Sequence, residues 1–435
     1  MTERPPMPPS EISYLPASAV LDFIHPGARI LVPAEAAEPV TLLDAIDAAG
    51  PTLEDVQIHW MDPFTTRPFQ QGSYPGRLTH VNYFLGSGSR DSYHAGHSEL
   101  VCADFSQIPA ILRRQVKPTL AISHCSLPDA EGYVSLGTNA DYVASFIGTI
   151  PFFLEVNPHV PYTYGAHRLH VSQVAGFCYS EAPLLTVTPP PLSAIDERIA
   201  EYVAADIPDR SCLQIGVGRV PNALLGHLAN HRDLGLHSEA ISDGAMQLIE
   251  AGVITGSYKR CRPGKHVATF AVGSPALMSW LNYNPTVEFL SVEETNNPAV
   301  IAQERRVCAI NATSEVNLWG ECCSETIEGR YFSAAGGQAD FCLGALWSSG
   351  GRSYIVTPST GRGGKSRIVV RTSRGNIVTT SKNLVDNVVT EWGVARLRGR
   401  TVTERARALI AIAHPDWREQ LEREAWEAGI LRGSS

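Results

Sequence analysis

The segment Asp233-Leu-Gly-Leu-His-Ser-Glu-Ala-Ile-Ser-Asp-Gly244 sets one carboxylate, Glu239, among small and apolar neighbours. Leu234 and Leu236 alternate as in a short buried strand. Ser242, Asp243 and Gly244 read as a turn or helix start, and Ala245, Met246, Leu248, Ile249 and Val253 follow at roughly helical spacing. Glu239 is therefore predicted where a strand ends and a helix begins, the edge at which open parallel sheets bind ligands. A carboxylate there can be a nucleophile, a base or a substrate clamp. The ordinary alternative is a solvated loop glutamate.

Two glycine-bearing stretches flank it in sequence. Cys212-Leu-Gln-Ile-Gly-Val-Gly-Arg-Val-Pro-Asn222 reads as strand, Gly-x-Gly and helix, the helix carried by Leu224, Leu225 and Leu228. That order is a phosphate-loop geometry, although Gly-x-Gly alone is a weak signal. Tyr331–Phe341 holds Gly336 and Gly337 beside a small-residue run, which lets a backbone approach a ligand closely. A third loop, Gly86-Ser-Gly-Ser-Arg-Asp91, either cradles an anion or simply turns the chain.

The elements that must position these residues alternate between strand and helix. Strands are predicted at Arg29–Val32, Val56–Trp60, Leu78–Leu85, Leu100–Phe105, Leu120–His124, Gly132–Leu136 and Phe152–Val156. The loop after the first holds Glu35 and Glu38 and leads into a helix through Ala48, and a short helix is predicted at Ala17–Ile24. Residues 1–16 read as a loose arm, and the prolines within Leu184–Leu192 as a linker. A helix restarts over Ser193–Ala205. Val267–Ala271, Val287–Ser291 and Cys308–Asn311 are further strands, and Tyr354–Pro358, Ile368–Val370 and Ile377–Thr380 are expected to close the sheet. Val388–Arg400 and a helix over Glu404–Ala413 complete the core. The fold class is α/β, with two domains over residues 1–185 and 193–435. Each has a glycine loop and a loop carboxylate, as an old duplication would leave them.

With 435 residues, 44% hydrophobic and 18% charged, the chain can bury two sizeable cores. A net charge of −9 argues against a general nucleic-acid binder but leaves room for a local basic pocket for a phosphorylated ligand. The nine cysteines show no CxxC pair or zinc spacing, so no metal is expected. Met1–Ser10 has no apolar signal-peptide core, and no apolar run suits a membrane span, so a reducing cytoplasm and no membrane partner are expected.

Several motifs occur together and in order: Glu155-Val-Asn-x-x-Val-Pro161, Leu213-Gln-Ile-Gly-Val-Gly-x-x-Pro-Asn222, Leu234-Gly-Leu-His-Ser-Glu239-x-Ile-Ser-Asp-Gly244, Gly336-Gly-Gln-x-Asp-Phe341, Val389-Thr-Glu391-Trp-Gly393 and Ile410-x-Ile-Ala-His-Pro-Asp416. Together they resemble the acetyl-CoA hydrolase/transferase family, in its 4-hydroxybutyrate CoA-transferase-like branch, from about Gly27 to Leu421. The resemblance implies two related CoA-transferase domains, each with a mostly parallel sheet flanked by helices, assembled as a homo-oligomer, a dimer or a tetramer. It implies that Glu239 is the nucleophile and that coenzyme A shuttles between a small acyl-CoA and a short carboxylate as substrates, with no permanently bound cofactor. The N–H groups of Gly336 and Gly337 would hold an oxyanion, and the loop Gly216, Val217, Gly218, Arg219 and Val220, with Gly337 and Gln338, would contact coenzyme A.

Other residues keep two readings each. Arg90 and Tyr93 either clamp a carboxylate substrate or cap and pack on a helix. Gln338 and Asn297 either line the pocket or make core and turn hydrogen bonds. Glu391 sits near the site in the family, or in a structural ion pair; His237 is an orienting neighbour or a proton shuttle; Glu155 and Asn157 fix a turn. The chain departs from the family pattern at Ala334, where glycine is usual, at Glu294-Thr295 before Asn296-Asn297-Pro298, and at Asn317, where aspartate is usual. These departures imply an altered acyl pocket, with 4-hydroxybutyrate, itaconate, butyrate or propionate as candidate acceptors. Water in place of the acceptor would make the same site a hydrolase, and a catalytically silent coenzyme A binder is a third reading.

Overall fold

The structure is a computed structural model that describes residues 12–187 and 191–432. Residues 1–11 of the expected arm and 188–190 of the expected linker lie outside the described residues. Two compact units are present. The first holds residues 12–187 with Ala240–Asp243 and Val267–Thr295; the second holds residues 191–239, Gly244–His266 and 296–432. This differs from a single cut at the linker. The reason is hydrogen bonding: Ala240–Ile241 pairs in parallel with Phe270–Ala271, and Phe270 bridges to Asn139.

The first unit is built on a seven-stranded, all-parallel sheet. In spatial order the strands are Gly176–Tyr179, Phe152–Val156, Leu120–Cys125, Arg29–Val32, Val56–Trp60, Leu78–Asn82 and Ser98–Leu100. Side chains alternate between its two faces, and both faces are buried, as a parallel sheet requires. Ile30 and Val32 join a core with Leu42, Leu43 and Ile46, whereas Leu31 joins another with Leu154 and Tyr142. The expected strand over Leu100–Phe105 is instead Ser98–Leu100, followed by a 3-10 turn at Phe105–Gln107. Ala17–Phe23 is likewise a 3-10 helix. The end of the supposed loose arm is packed: Ile12 is buried, and Leu15 N–H donates to Phe177 O at 2.7 Å.

Chain order reverses between Arg29–Val32 and Leu120–Cys125, which makes the crevice at their carboxyl ends the default ligand site of this sheet. The chain's own side chains occupy it. Asp141 accepts from Ala34 N–H at 2.8 Å, and Asn139 donates to Ala34 O at 2.9 Å. Nearby, Glu155 accepts from the N–H groups of Thr41 and Leu42 at 2.8 and 3.2 Å. These are first-turn donors of helix Val40–Ala49, whose N-cap, Pro39, offers no side-chain acceptor. Glu155 from a neighbouring strand replaces that cap, and Asn157 holds the next turn through His159 N–H and Ala182 O.

The second unit repeats the plan. Its six-stranded sheet runs Gly235–Leu236, Cys212–Ile215, Val307–Ala312, Arg352–Val356, Asn387–Thr390 and Gly393–Arg396, with only the last strand antiparallel. Val307 and Ala309 pack with Phe341 and Ala345 of helix Gln338–Trp347, and Ile355 and Val388 pack with Leu409 and Ile410 of helix Val402–Ala411. The sheet is closed by the hairpin Asn387–Arg396. Ile368–Val369 instead pairs with Glu315–Asn317 in a separate small sheet, and Ile377–Thr380 contributes only a bridge from Thr380 to Cys322. Asn317 suits its place because its amide donates to Glu321 at 2.7 Å and to Thr372 at 2.9 Å, which an aspartate does not do.

Glu155→Ala is expected to strand two helix-terminal N–H groups, one of them buried, and to destabilise the protein by about 2 kcal/mol. A lower urea midpoint for Glu155→Ala than for Glu155→Gln, which keeps one acceptor oxygen, checks this.

Candidate active site

In the second sheet the chain order reverses between Cys212–Ile215 and Val307–Ala312. The Gly216-Val-Gly218 loop follows the first of these strands, at its carboxyl end. Gly218 has φ +140° and ψ −177°, a conformation essentially confined to glycine, and helix Arg219–His227 starts directly after it. Val217 is 56% exposed, an apolar side chain left open at the loop tip. Val220 is buried in the helix's first turn. Arg219 lies 3.5 Å from Asp196; burial lowers the pKa of the Arg367 guanidinium, and the charge of Arg219 lowers it further.

The glutamate segment is stitched alongside. Gly235 N–H donates to Ser211 O at 2.9 Å and His237 N–H to Leu213 O at 3.0 Å. Ser238 Oγ donates to Ile215 O at 3.0 Å and accepts from Ile215 N–H at 3.2 Å. On the other side the buried Lys259 ammonium donates to Leu236 O at 2.8 Å. Its stem passes so close to Gly235 that a Cβ there would lie 2.7 Å from Lys259 Cγ. These bonds carry the strand's pairing past its formal end and deliver Glu239 at the carboxyl edge of the sheet.

Glu239 is half-buried. Asn296 Nδ2 donates to its Oε1 at 2.6 Å, and the Gly337 N–H donates to the same carboxylate. Burial dominates and pushes the carboxyl from 4.5 up to about 7; the Asn296 and Gly337 bonds pull down, while the charge of Asp340 pushes up. Gly337 is the N-cap of helix Gln338–Trp347, and Gly336 before it has φ +57°. A Cβ at Gly337 would fall on Glu239 Oε1 and Asn296 Nδ2, so only glycine permits this approach. Asn296 is fully buried, and its Oδ1 has no hydrogen-bond partner among the described residues. It is a ready acceptor beside the carboxylate.

The remaining candidates separate. Gln338 accepts from Ser324 Oγ and donates to Thr380 Oγ1, both at 3.0 Å, so its amide is used within the fold. Asn297 caps helix Pro298–Ile301 by accepting from Ala299 N–H at 2.9 Å. The side chain that reaches Glu239 is its neighbour, Asn296. The signal for this was in the sequence: in Asn-Asn-Pro the residue before proline is the natural N-cap, which frees the one before it. Glu391 anchors the loop after Arg352–Val356 through Ser359 N–H at 2.8 Å and Ser359 Oγ at 2.5 Å. The ring of His237 lies edge-on to Phe341, with centroids 6.4 Å apart. Arg90 begins the short helix Arg90–His94, which also holds Tyr93, in the first unit; its charge opposes the burial that raises Asp62 to about 7. Among the described residues no group of three or more His, Cys, Asp or Glu could hold a metal, and no helix is long and apolar enough to cross a membrane.

Because the folded pKa of Glu239 is raised above its unfolded value, its stabilising protonated form is fully present below pH 4.5 and is lost as pH rises through about 7. Glu239→Gln is therefore expected to raise the melting temperature over wild type at pH 8.5 and to lose that advantage at pH 5, as thermal scans at the two pH values would show.

Known proteins resemble this chain over nearly its whole length. Residues 273–425 match the model of the acetyl-CoA hydrolase/transferase C-terminal domain. The chain is 38% identical over 411 residues to 4-hydroxybutyrate coenzyme A transferase of Clostridium kluyveri, covering 94% of this chain and 96% of that one. It is 37% identical to succinyl-CoA:cyclohexane-1-carboxylate CoA transferase of Geobacter metallireducens, covering 92% of each. The crystal structure of RipA from Yersinia pestis superposes with a TM-score of 0.91 at 31% identity, over 96% of this chain and 98% of that one. The chain belongs to the acetyl-CoA hydrolase/transferase family.

Proposed function

We propose that this enzyme is a CoA-transferase that moves coenzyme A from a small acyl-CoA, acetyl-CoA or succinyl-CoA, to a short carboxylate such as 4-hydroxybutyrate, itaconate or butyrate, with Glu239 as the covalent carrier. The observation that carries this reading is the state of Glu239: an anchored, partly dehydrated carboxylate with a glycine N–H in contact. Desolvation leaves the charge less stabilised and so more nucleophilic, while the two hydrogen bonds fix its direction.

The steps follow from that geometry. A Glu239 oxygen attacks the thioester carbonyl carbon, the C–S bond breaks, and a mixed anhydride and CoA thiolate result. The thiolate attacks the glutamyl carbonyl carbon, the donor's carboxylate leaves, and a glutamyl-CoA thioester remains. An acceptor carboxylate then takes the coenzyme A by the same two steps in reverse. The thioester bond energy is kept throughout, and the kinetics are ping-pong. Since the Gly337 N–H points at Glu239 itself, its part is to stabilise the oxyanion that forms on the glutamyl carbonyl. Coenzyme A would run along Gly216–Val220, with Val217 against its apolar arm and the helix start near its phosphates. Arg90 and Tyr93 remain candidates for the acceptor's carboxylate. All nine cysteines are free, in keeping with a reducing compartment, and a homo-oligomeric assembly in the cytoplasm belongs to the same proposal.

The attacking species is the carboxylate, so kcat/KM is expected to fall below an acid limb at about pH 7 rather than near 4.5, and Asn296→Ala is expected to move that limb higher. Thiol release and acyl-CoA product formation, followed side by side, test the reaction itself. Wild type is expected to form acyl-CoA product only when an acceptor is present, and to release little thiol without one. Glu239→Asp withdraws the carboxylate by about 1 Å and is expected to lose on the order of a hundredfold in transfer. Glu239→Ala should lose transfer and still bind coenzyme A. Full-rate thiol release without acceptor would make the enzyme a hydrolase, and normal transfer by Glu239→Ala would exclude the mechanism.

A further inference from the structure

The amino edge of the second sheet carries a feature that coenzyme A transfer does not use. Arg210 precedes strand Cys212–Ile215, and Arg305 and Arg306 precede strand Val307–Ala312. With Tyr258 they line a cavity of about 200 Å3. The Arg210 guanidinium lies 4.5 Å over the Tyr258 ring, and Tyr258 is 50% exposed. Arg306 donates to the backbone oxygen of Asp209 at 3.1 Å. Arg305 makes no hydrogen bond or ion pair among the described residues. The nearest acids in sequence point elsewhere: Asp209 accepts from Arg232 N–H at 2.9 Å, and Glu304 from Arg260 and Cys261 N–H at 2.7 and 3.2 Å.

In a chain with a net charge of −9, three guanidinium groups converging on one cavity without a carboxylate partner form an unneutralised positive site. Each is a planar fork of donors that fits the oxygens of a phosphate pairwise. The cavity is too small for coenzyme A and large enough for two linked phosphoryl groups. It also lies at the amino ends of the two strands between which chain order reverses, opposite the carboxyl ends that carry the glycine loop.

We propose that Arg210, Arg305 and Arg306 form an anion site for a diphosphate group, separate from the acyl-transfer site, with Tyr258 as its aromatic wall. The group comes either from inorganic diphosphate or from the phosphate chain of a nucleotide whose base stacks on Tyr258.

Calorimetric titration of the full-length enzyme with inorganic diphosphate, with coenzyme A held at saturation, tests the site. Wild type is expected to bind with an affinity that weakens as salt is raised. The double variant Arg305→Ala, Arg210→Asn is expected to bind at least about tenfold more weakly. Asparagine is chosen because residue 210 has φ +64°, which it tolerates, and both arginines are exposed, so the fold is kept. Circular dichroism and unchanged acyl transfer confirm that. Arg219→Ala, at the glycine loop, is expected to bind diphosphate as wild type does. ADP binding more tightly than diphosphate, with the gain lost in Tyr258→Ala, would assign the nucleotide source; equal affinities would assign free diphosphate. No binding by wild type at millimolar diphosphate, or equal binding by the double variant, would overturn the proposal, whatever the fate of the coenzyme A reading.

Discussion

The structure depends on keeping one carboxylate where it is hard to keep. In the nucleophilic role proposed for it, Glu239 would have to be ionised to attack and partly dehydrated to attack well, and burial alone opposes the charge. The fold balances the two with one amide and one backbone N–H, from Asn296 and Gly337, while the helix that starts at Gln338 points its positive end at the same place. The result is an acid whose pKa is pushed up to about 7. A deeper site would hold a neutral acid, and a wetter one would hold a carboxylate too well solvated to react.

Everything near it is arranged to hold that position. The short strand Gly235–Leu236 is clasped by Ser211 and Leu213 on one side and by the Lys259 ammonium on the other. Gly235 and Gly337 are glycines for the same reason: a methyl group at the first would strike the Lys259 stem, and at the second the Glu239 carboxylate and the Asn296 amide. The two sheets show how one plan is used in two ways. Both reverse strand order beside a central strand, but in the first the crevice is filled by Asn139 and Asp141, which bind the Ala34 loop. In the second it opens onto Gly216–Gly218 with Val217 exposed. The proposed chemistry lies in the half whose crevice is open.

Much of this was legible in the residues. The strand periodicity, the Gly-x-Gly turn before Leu224 and Leu225, and the position of Glu239 at a strand's end were visible because each depends on local pattern. What was hidden depends on distant partners. Glu155 caps a helix more than a hundred positions away, and Gln338 spends its amide on Ser324 and Thr380. The pairing of Ala240–Ile241 with Phe270–Ala271, which moves two segments into the first unit, leaves no mark at the proline stretch. Ile377–Thr380 has strand composition but little pairing, since Asn387–Thr390 takes the place beside Arg352–Val356. Asn296 was one residue from the expected Asn297, and proline-directed capping separates the two.

The most direct measurement of the central claim is to incubate the enzyme with acyl-CoA and no acceptor, treat it with borohydride, and read the peptides by mass spectrometry. The account predicts reduction of the Glu239 side chain to the alcohol, only when acyl-CoA is present and not in Glu239→Gln. Reduction at another residue, or an unmodified Glu239 in an enzyme that turns over normally, would contradict it.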